Sequence, residues 1–256
     1  MTDAENDLPE ESDRPYRGEA GGPVSRALLP LMSYLLANLS VPFILLVFFV
    51  MNRTRVHGRH NVPQRRNTLL LSNHQSMIDS WLLTFSAFFP AELVRPYLLP
   101  WHPAAQENFF RNRFLAWLFT NFKCIPVRPG RRDVRAIHRS IQAIRGGTMI
   151  FFPEGTRTRD GSIGRGRPGA GLAALGTNAT VVPVTIVGLD RVLPIGRKWP
   201  RMGNRVHVCF GRPIEYEDLA AEPPSREAAQ QIVDRAMTRI RRQREAILRL
   251  ERRSGR

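Results

Sequence analysis

Thr68-Leu69-Leu70-Leu71-Ser72-Asn73-His74-Gln75-Ser76-Met77-Ile78-Asp79-Ser80 changes character twice within a few residues. The apolar run Thr68–Ser72 reads as a strand, a polar loop follows, and Asp79 opens a helical stretch. The same alternation continues along the chain. Further strands are predicted at 149–152, 181–187 and 206–210, with helices at 109–122, 133–145 and 226–252. Strands separated by helices imply an α/β fold: one domain with a mixed, largely parallel sheet flanked by helices. Ligands in such domains gather at loops leaving strand ends, which is where chemistry is sought.

Three of those stretches carry candidate residues. In the first, His74 and Asp79 are five residues apart at the start of a helix. A neutral imidazole can take a hydroxyl proton on one nitrogen while a carboxylate holds the other N–H. Ser76 and Asp79 equally fit a reciprocal helix cap. The second loop runs from Phe152 through Pro153-Glu154-Gly155-Thr156-Arg157-Thr158-Arg159 to the glycine- and arginine-rich stretch ending at Gly171. Glycines admit an anion to backbone amides, hydroxyls add donors and arginines add charge, so it reads as a phosphate cradle or as a basic surface loop. It lacks the terminal lysine and hydroxyl of a nucleotide P-loop. The third is Lys123-Cys124-Ile125-Pro126-Val127-Arg128, a strand-like run ending in a cation that either meets the same anion or simply faces solvent.

Taken in order, Asn-His-x-Ser-x-x-Asp (residues 73–79), Ile-Pro-Val-Arg (125–128), Phe-Pro-Glu-Gly-Thr-Arg (152–157) and Val-Pro-Val (182–184) resemble the four motif blocks of the glycerolipid acyltransferases. Bacterial 1-acylglycerol-3-phosphate (lysophosphatidic acid) acyltransferases are the nearest likeness, over roughly residues 55 to 215. The resemblance implies a glycerol-3-phosphate acyltransferase-like fold and direct transfer of a fatty acyl group from a thioester, acyl carrier protein or coenzyme A, to the acceptor hydroxyl. It implies His74 as general base and Asp79 as its orienting partner. Arg128, Glu154, Gly155, Thr156 and Arg157 would grip the acceptor phosphate, with Asn73, Ser76 and Arg167 as additional candidates. No metal and no organic cofactor is implied, because the thioester brings its own activation. Neither Cys124 nor Cys209 needs a nucleophilic role. Thr158 and Arg167 depart from the family's usual serine and lysine, and the block 95–111 departs further; it is expected at the acyl tunnel or acceptor entrance. The same chemistry on a lyso-ornithine lipid or another lysophospholipid is the alternative.

Composition sets the surroundings. The 256 residues are 43% hydrophobic with a net charge of +16, and residues 1–26 hold seven of the 22 acids but three of the 38 bases, leaving +20 on the rest. Such a charge favours an anionic membrane surface, a phosphorylated ligand or nucleic acid without choosing among them. Nucleic acid is set aside because no nucleic-acid motif accompanies the charge. The tail 1–26 is expected to be disordered. Residues 27–51 carry no charge, enough to cross a hydrocarbon layer. Pro30 and Pro42 leave a span, an embedded hairpin or broken helix, and a buried helix all open. The segment 27–52 is thus assigned to the membrane, 53–223 to the catalytic domain and 224–256 to a basic amphipathic helix. Arg53, Arg55, His57, Arg59 and His60 follow the apolar segment, so the domain is expected on the cytoplasmic face of an inner membrane.

Overall fold

The computed structural model describes residues 22–128, 133–220 and 224–254. The expected disordered tail therefore lies, up to residue 21, outside the described residues. Helix α1 (Pro23–Ile44) begins with Pro23 at its first turn, where a missing N–H costs nothing. It thus starts four residues before the assigned boundary. It runs on as a π-helical turn (Leu45–Val50), so the two prolines neither break it nor fold it into a hairpin. Leu28, Leu31, Leu35, Leu39, Phe43 and Leu46 line its exposed outer side, whereas Leu29, Ser33, Ile44, Val47 and Phe48 are buried against the domain. The 28 residues from Pro23 to Val50 are long and apolar enough to cross a membrane. An exposed apolar surface of this size is that of a membrane-associated chain.

The sheet has the order β1-β7-β6-β2-β5, formed by β1 (Arg53–His57), β2 (Thr68–Ser72), β5 (Thr148–Phe151), β6 (Thr180–Val187) and β7 (Arg205–Phe210). A two-stranded parallel ladder, β3 (His102–Ala105) with β4 (Cys124–Val127), extends it beyond β5. The joint is made by Trp101, whose N–H donates to Thr148 O at 3.0 Å and whose carbonyl accepts from Ile150 at 2.8 Å. Only β6 and β7 run antiparallel; every other pairing is parallel. The carboxyl ends of β2, β3, β4, β5 and β6 therefore share one edge of the sheet. The loops carrying His74, Glu154 and Arg128 leave from that edge.

Both faces are covered. Leu70, Ile150, Val182 and Val184 face α2 (Asp79–Phe88) and the π turn. Leu69, Leu71, Met149 and Val181 face α5 (Val134–Gly146), α6 (Gly169–Leu175) and α8 (Arg226–Ser254). Adjacent residues of one strand thus serve opposite cores, which is why β2 shows an unbroken apolar run rather than alternation. Ala229, Ile232, Val233, Ala236, Met237 and Ile240 of α8 are fully buried. The basic amphipathic helix assigned to 224–256 accordingly packs its apolar side on the sheet as a layer of the domain, while Leu250 near its end stays exposed. At the α6–α8 crossing, a Cβ on Gly171 would lie 2.0 Å from Ala229 O, so only glycine allows the approach.

The remaining differences from the sequence reading have local causes. The helix expected at 109–122 is two, α3 (Gln106–Phe109) and α4 (Arg113–Asn121), because Asn112 caps the second by accepting from the Leu115 N–H at 2.8 Å. Strands β1 and β3 lacked an apolar signature: one is an alternating edge strand of charged residues, the other reads His-Pro-Ala-Ala. Asp133, expected as the first residue of a helix, instead caps α5, accepting from the Ala136 N–H at 3.0 Å.

Candidate active site

The loop after β2 is tied down from several sides. Asn73 bridges to β6, donating to Ile186 O at 2.9 Å and accepting from its N–H at 2.8 Å. Gln75 Oε1 accepts from the Leu189 N–H at 3.0 Å, and Ser76 Oγ donates to Leu193 O at 2.9 Å. The loop geometry is thus a consequence of β6 lying beside β2, which no local sequence pattern reveals.

Asp79 is fully buried at the first position of α2. One carboxylate oxygen lies 2.6 Å from His74 Nδ1. The same carboxylate accepts from the Gln75 N–H at 2.7 Å and from the Ser76 N–H at 3.0 Å. Of the two sequence readings of Asp79, the contact with the histidine is present, whereas the reciprocal cap is not, because Asp79 is itself the first residue of α2 and Ile78 precedes it as the cap. Ser76 has no capping role either, since its hydroxyl bonds Leu193. With Nδ1–H given to Asp79, Nε2 is the unprotonated nitrogen, on a side chain 22% exposed. Phe152 stacks on the imidazole, ring centres 4.2 Å apart and 16° from parallel, fixing its plane.

The loop after β5 closes over this pair. Glu154 is nearly buried, with one oxygen accepting from the His74 N–H at 3.0 Å and the other from the Gly164 N–H at 2.7 Å. Desolvation by burial pushes its carboxyl above the usual range, against the pull of those two amides. Glu154 was expected to grip the acceptor. Both of its oxygens are instead committed to holding the two loops together, since a buried carboxylate must be satisfied by donors at hand. The Thr158 N–H donates to His74 O at 3.0 Å and the Arg167 N–H to Pro153 O at 2.8 Å.

Gly155 and Thr156 are exposed and Arg157 is partly buried. Gly155 takes φ +70°, and the Arg167 side chain lies across it, within 3.8 Å of where a Cβ would stand. Arg167 is thus brought over Gly155, on the same loop as Thr156 and Arg157 and next to the loop of His74. Arg128 stands apart from it. It leaves β4, three strands from His74's strand and two from Arg157's, or roughly 14 and 10 Å at the usual strand spacing. Its Nε donates to Gln106 Oε1 at 3.3 Å and its N–H to Asp133 at 3.1 Å. Sequence reasoning gave no role to Phe152, Gln75 or the buried Thr158 hydroxyl, which has no hydrogen-bond partner among the described residues. Stacking partners across a parallel sheet leave no spacing signal to find.

Residues 53–187 match the family model described as Acyltransferase, a stretch covering β1 to β6 and both loops of this site. The chain belongs to the acyltransferase family. It is 26% identical over 167 residues to the chloroplastic 1-acyl-sn-glycerol-3-phosphate acyltransferase LPAT1 of Arabidopsis thaliana, covering 63% of this chain and 44% of the relative. With a probable 1-acyl-sn-glycerol-3-phosphate acyltransferase of Mycoplasma pneumoniae the identity is 34% over 166 residues, covering 60% and 59%. The acyltransferase chain thus spans less than half the length of the plant relative. The crystal structure of the 1-acyl-sn-glycerophosphate acyltransferase PlsC from Thermotoga maritima has the same fold, with a TM-score of 0.55 at 24% identity over 84% of this chain and 95% of that one.

Proposed function

We propose that this acyltransferase moves a fatty acyl group from an acyl thioester, acyl carrier protein or coenzyme A, to the free hydroxyl of 1-acylglycerol-3-phosphate, giving phosphatidic acid. The observation that carries the reading is the 2.6 Å contact of His74 Nδ1 with a buried Asp79 held by two backbone amides. That arrangement fixes the tautomer in which Nε2 accepts a proton. The hydroxyl gives its proton to Nε2 as its oxygen attacks the thioester carbonyl. The tetrahedral intermediate collapses by breaking the C–S bond, and the departing sulfur takes the proton back from His74. Asp79 stabilises the imidazolium between the two steps. No acyl-enzyme forms, and Cys124, which burial holds protonated, takes no part.

The acceptor phosphate is assigned to the loop residues Gly155, Thr156 and Arg157 with Arg167, whose side chains make no hydrogen bond among the described residues and supply donors and positive charge next to the loop of His74. The membrane assignment rests on α1, whose buried residues run from Leu29 to Phe48 and whose Tyr34 hydroxyl donates to Leu93 O. A helix docked along its length favours embedding in one leaflet with its domain at the surface, and the basic residues Arg53, Arg55 and Arg59 that follow it favour the cytoplasmic side of an inner, anionic membrane. The test is transfer of labelled acyl from a thioester to a panel of lysolipids in vesicles. Phosphatidic acid as the main product supports the reading; product only from acceptors without a phosphomonoester overturns it.

A further inference from the structure

The twelve residues from Leu193 to Asn204 join α7 (Leu189–Val192) to β7 and take no part in the chemistry above. Trp199 is 81% exposed and Met202 69%, and Ile195 is exposed with them. A tryptophan alone carries roughly 150–250 Å² of surface that proteins ordinarily bury. Arg197, Lys198 and Arg201 are exposed on the same loop, and no acid stands among the twelve residues. An apolar tip with a wholly basic rim marks a contact surface rather than a solvated turn.

The two limbs of the loop are fixed at different places. Asn52, fully buried between the π turn and β1, donates to Val47 O at 2.8 Å and to Arg201 O at 3.0 Å, and its Oδ1 accepts from the Asn204 N–H at 2.9 Å. The Gly203 N–H donates to Met51 O at 2.8 Å. One limb is thereby held at the end of the apolar helix, where Val50 stands 75% exposed beyond Phe43 and Leu46. The other limb starts on the catalytic loop: Ser76 Oγ donates to Leu193 O, and Gln75 Oε1 accepts from the Leu189 N–H. The Arg201 N–H donates to Val192 O at 2.7 Å and closes the loop at its base. The loop is therefore a short bridge from the membrane helix to the residues beside His74.

Position and composition choose the partner. The exposed apolar side of α1 ends at the loop's own anchor, so the loop continues a surface that already faces lipid. Tryptophan beside arginine and lysine is the composition of the membrane–water interface, where the ring lies at headgroup level and the cations meet phosphate. A second protein would need about 800 Å² on each partner, more than three side chains on one loop present. A bilayer asks only that the tip enter by about 5–10 Å.

We propose that the loop 193–204 is a second membrane contact, in which Trp199 and Met202 enter the headgroup layer of an anionic bilayer while Arg197, Lys198 and Arg201 meet lipid phosphates. The inference rests on the membrane reading of α1 and adds to it a contact outside that helix. Because the loop is rooted on Ser76 and Gln75, its seating sets the height of the His74 loop over the lipid. An acceptor hydroxyl then reaches His74 without its chain leaving the bilayer, which saves the cost of bringing the two together from water.

The test uses the full chain on vesicles of phosphatidylglycerol and phosphatidylcholine, with acyl chains either plain or brominated near the headgroup, bromine being a contact quencher of tryptophan. Emission from Trp199 is the difference between wild type and Trp199→Phe, since Trp81, Trp101 and Trp117 are common to both. In chains that sediment with the vesicles, this difference should be at least about twofold weaker on brominated than on plain lipid. Each basic residue near an anionic surface is worth about fivefold in binding, so Arg197→Gln with Lys198→Gln should bring back most of the emission. Trp199→Ser with Met202→Ser should raise the KM for lysolipid in vesicles at least about tenfold and leave that for a short-chain, water-soluble lysolipid unchanged. Vesicle-bound chain whose Trp199 emission is equal on both lipids overturns the proposal and leaves α1 as the membrane contact. Trp199 that is unquenched by lipid and also shielded from soluble acrylamide means that another chain covers the loop, which overturns it as well. Chain that does not sediment with vesicles overturns the membrane reading of α1 and the loop contact together.

Discussion

Replacing Asp79 by asparagine removes a charge and one acceptor while keeping the shape of the side chain. Three N–H groups converge on the Asp79 carboxylate, from His74 Nδ1, Gln75 and Ser76. An amide oxygen can accept at most two of them, and the amide NH2 must then point at the third. One or two buried donors are left unpaired at about 1–3 kcal/mol each, so the melting experiment should register a loss of roughly 2–4 kcal/mol. If the NH2 faces the imidazole, Nδ1 becomes an acceptor, the proton moves to Nε2, and the base is lost. The expected fall in kcat is about 10²- to 10⁴-fold, the usual worth of general-base catalysis. Transfer of labelled acyl from a thioester at saturating lysolipid measures it. Ser76→Ala is the companion: it removes only the 2.9 Å bond to Leu193 O, at about 1 kcal/mol, and should keep its turnover. An Asp79→Asn protein that turns over within about threefold of wild type would refute the proton-holding role. Equal losses in the two variants would point to loop packing instead.

Other outcomes follow from the same structure. Glu154→Gln leaves one of the His74 and Gly164 amides facing an NH2 group, so stability should fall by about 1–3 kcal/mol and kcat with it, read from thermal melts and turnover. Glu92, raised from 4.5 to about 7 in the folded chain, binds a proton there that the unfolded chain releases. The contribution of Glu92 to stability should therefore be largest at acid pH and decline by about 3 kcal/mol as pH rises from 4.5 through 7. In Glu92→Gln that decline should be absent from the pH dependence of melting. Gly171→Ala drives a methyl into Ala229 O, and urea titration should show a loss of about 1–3 kcal/mol or a chain that does not fold. Leu35→Arg with Leu39→Arg, both on the exposed side of α1, should weaken vesicle binding at least tenfold in sedimentation without changing the melt, since each buried leucine contributes about 1.5–3 kcal/mol.

The sequence made the fold legible where a segment's environment is uniform. Leu69, Leu70 and Leu71 are apolar because both faces of β2 are covered. It failed where the reason for a structure lies elsewhere in the chain. Arg53–His57 is a strand because β7 offers it a partner, and His102–Ala105 because Trp101 docks on β5. The pairing of His74 with Asp79 was readable from a five-residue spacing. The commitment of Glu154 was not, because Gly164 and the His74 amide meet it only once β5 lies beside β2.

The most direct measurement is the single-turnover rate of acyl transfer to 1-acylglycerol-3-phosphate by wild type and His74→Ala, compared at equal vesicle-bound protein. With His74 as the proton acceptor, the wild type forms phosphatidic acid and the variant is slower by about 10²-fold or more. A variant that binds vesicles and transfers at the wild-type rate contradicts the account.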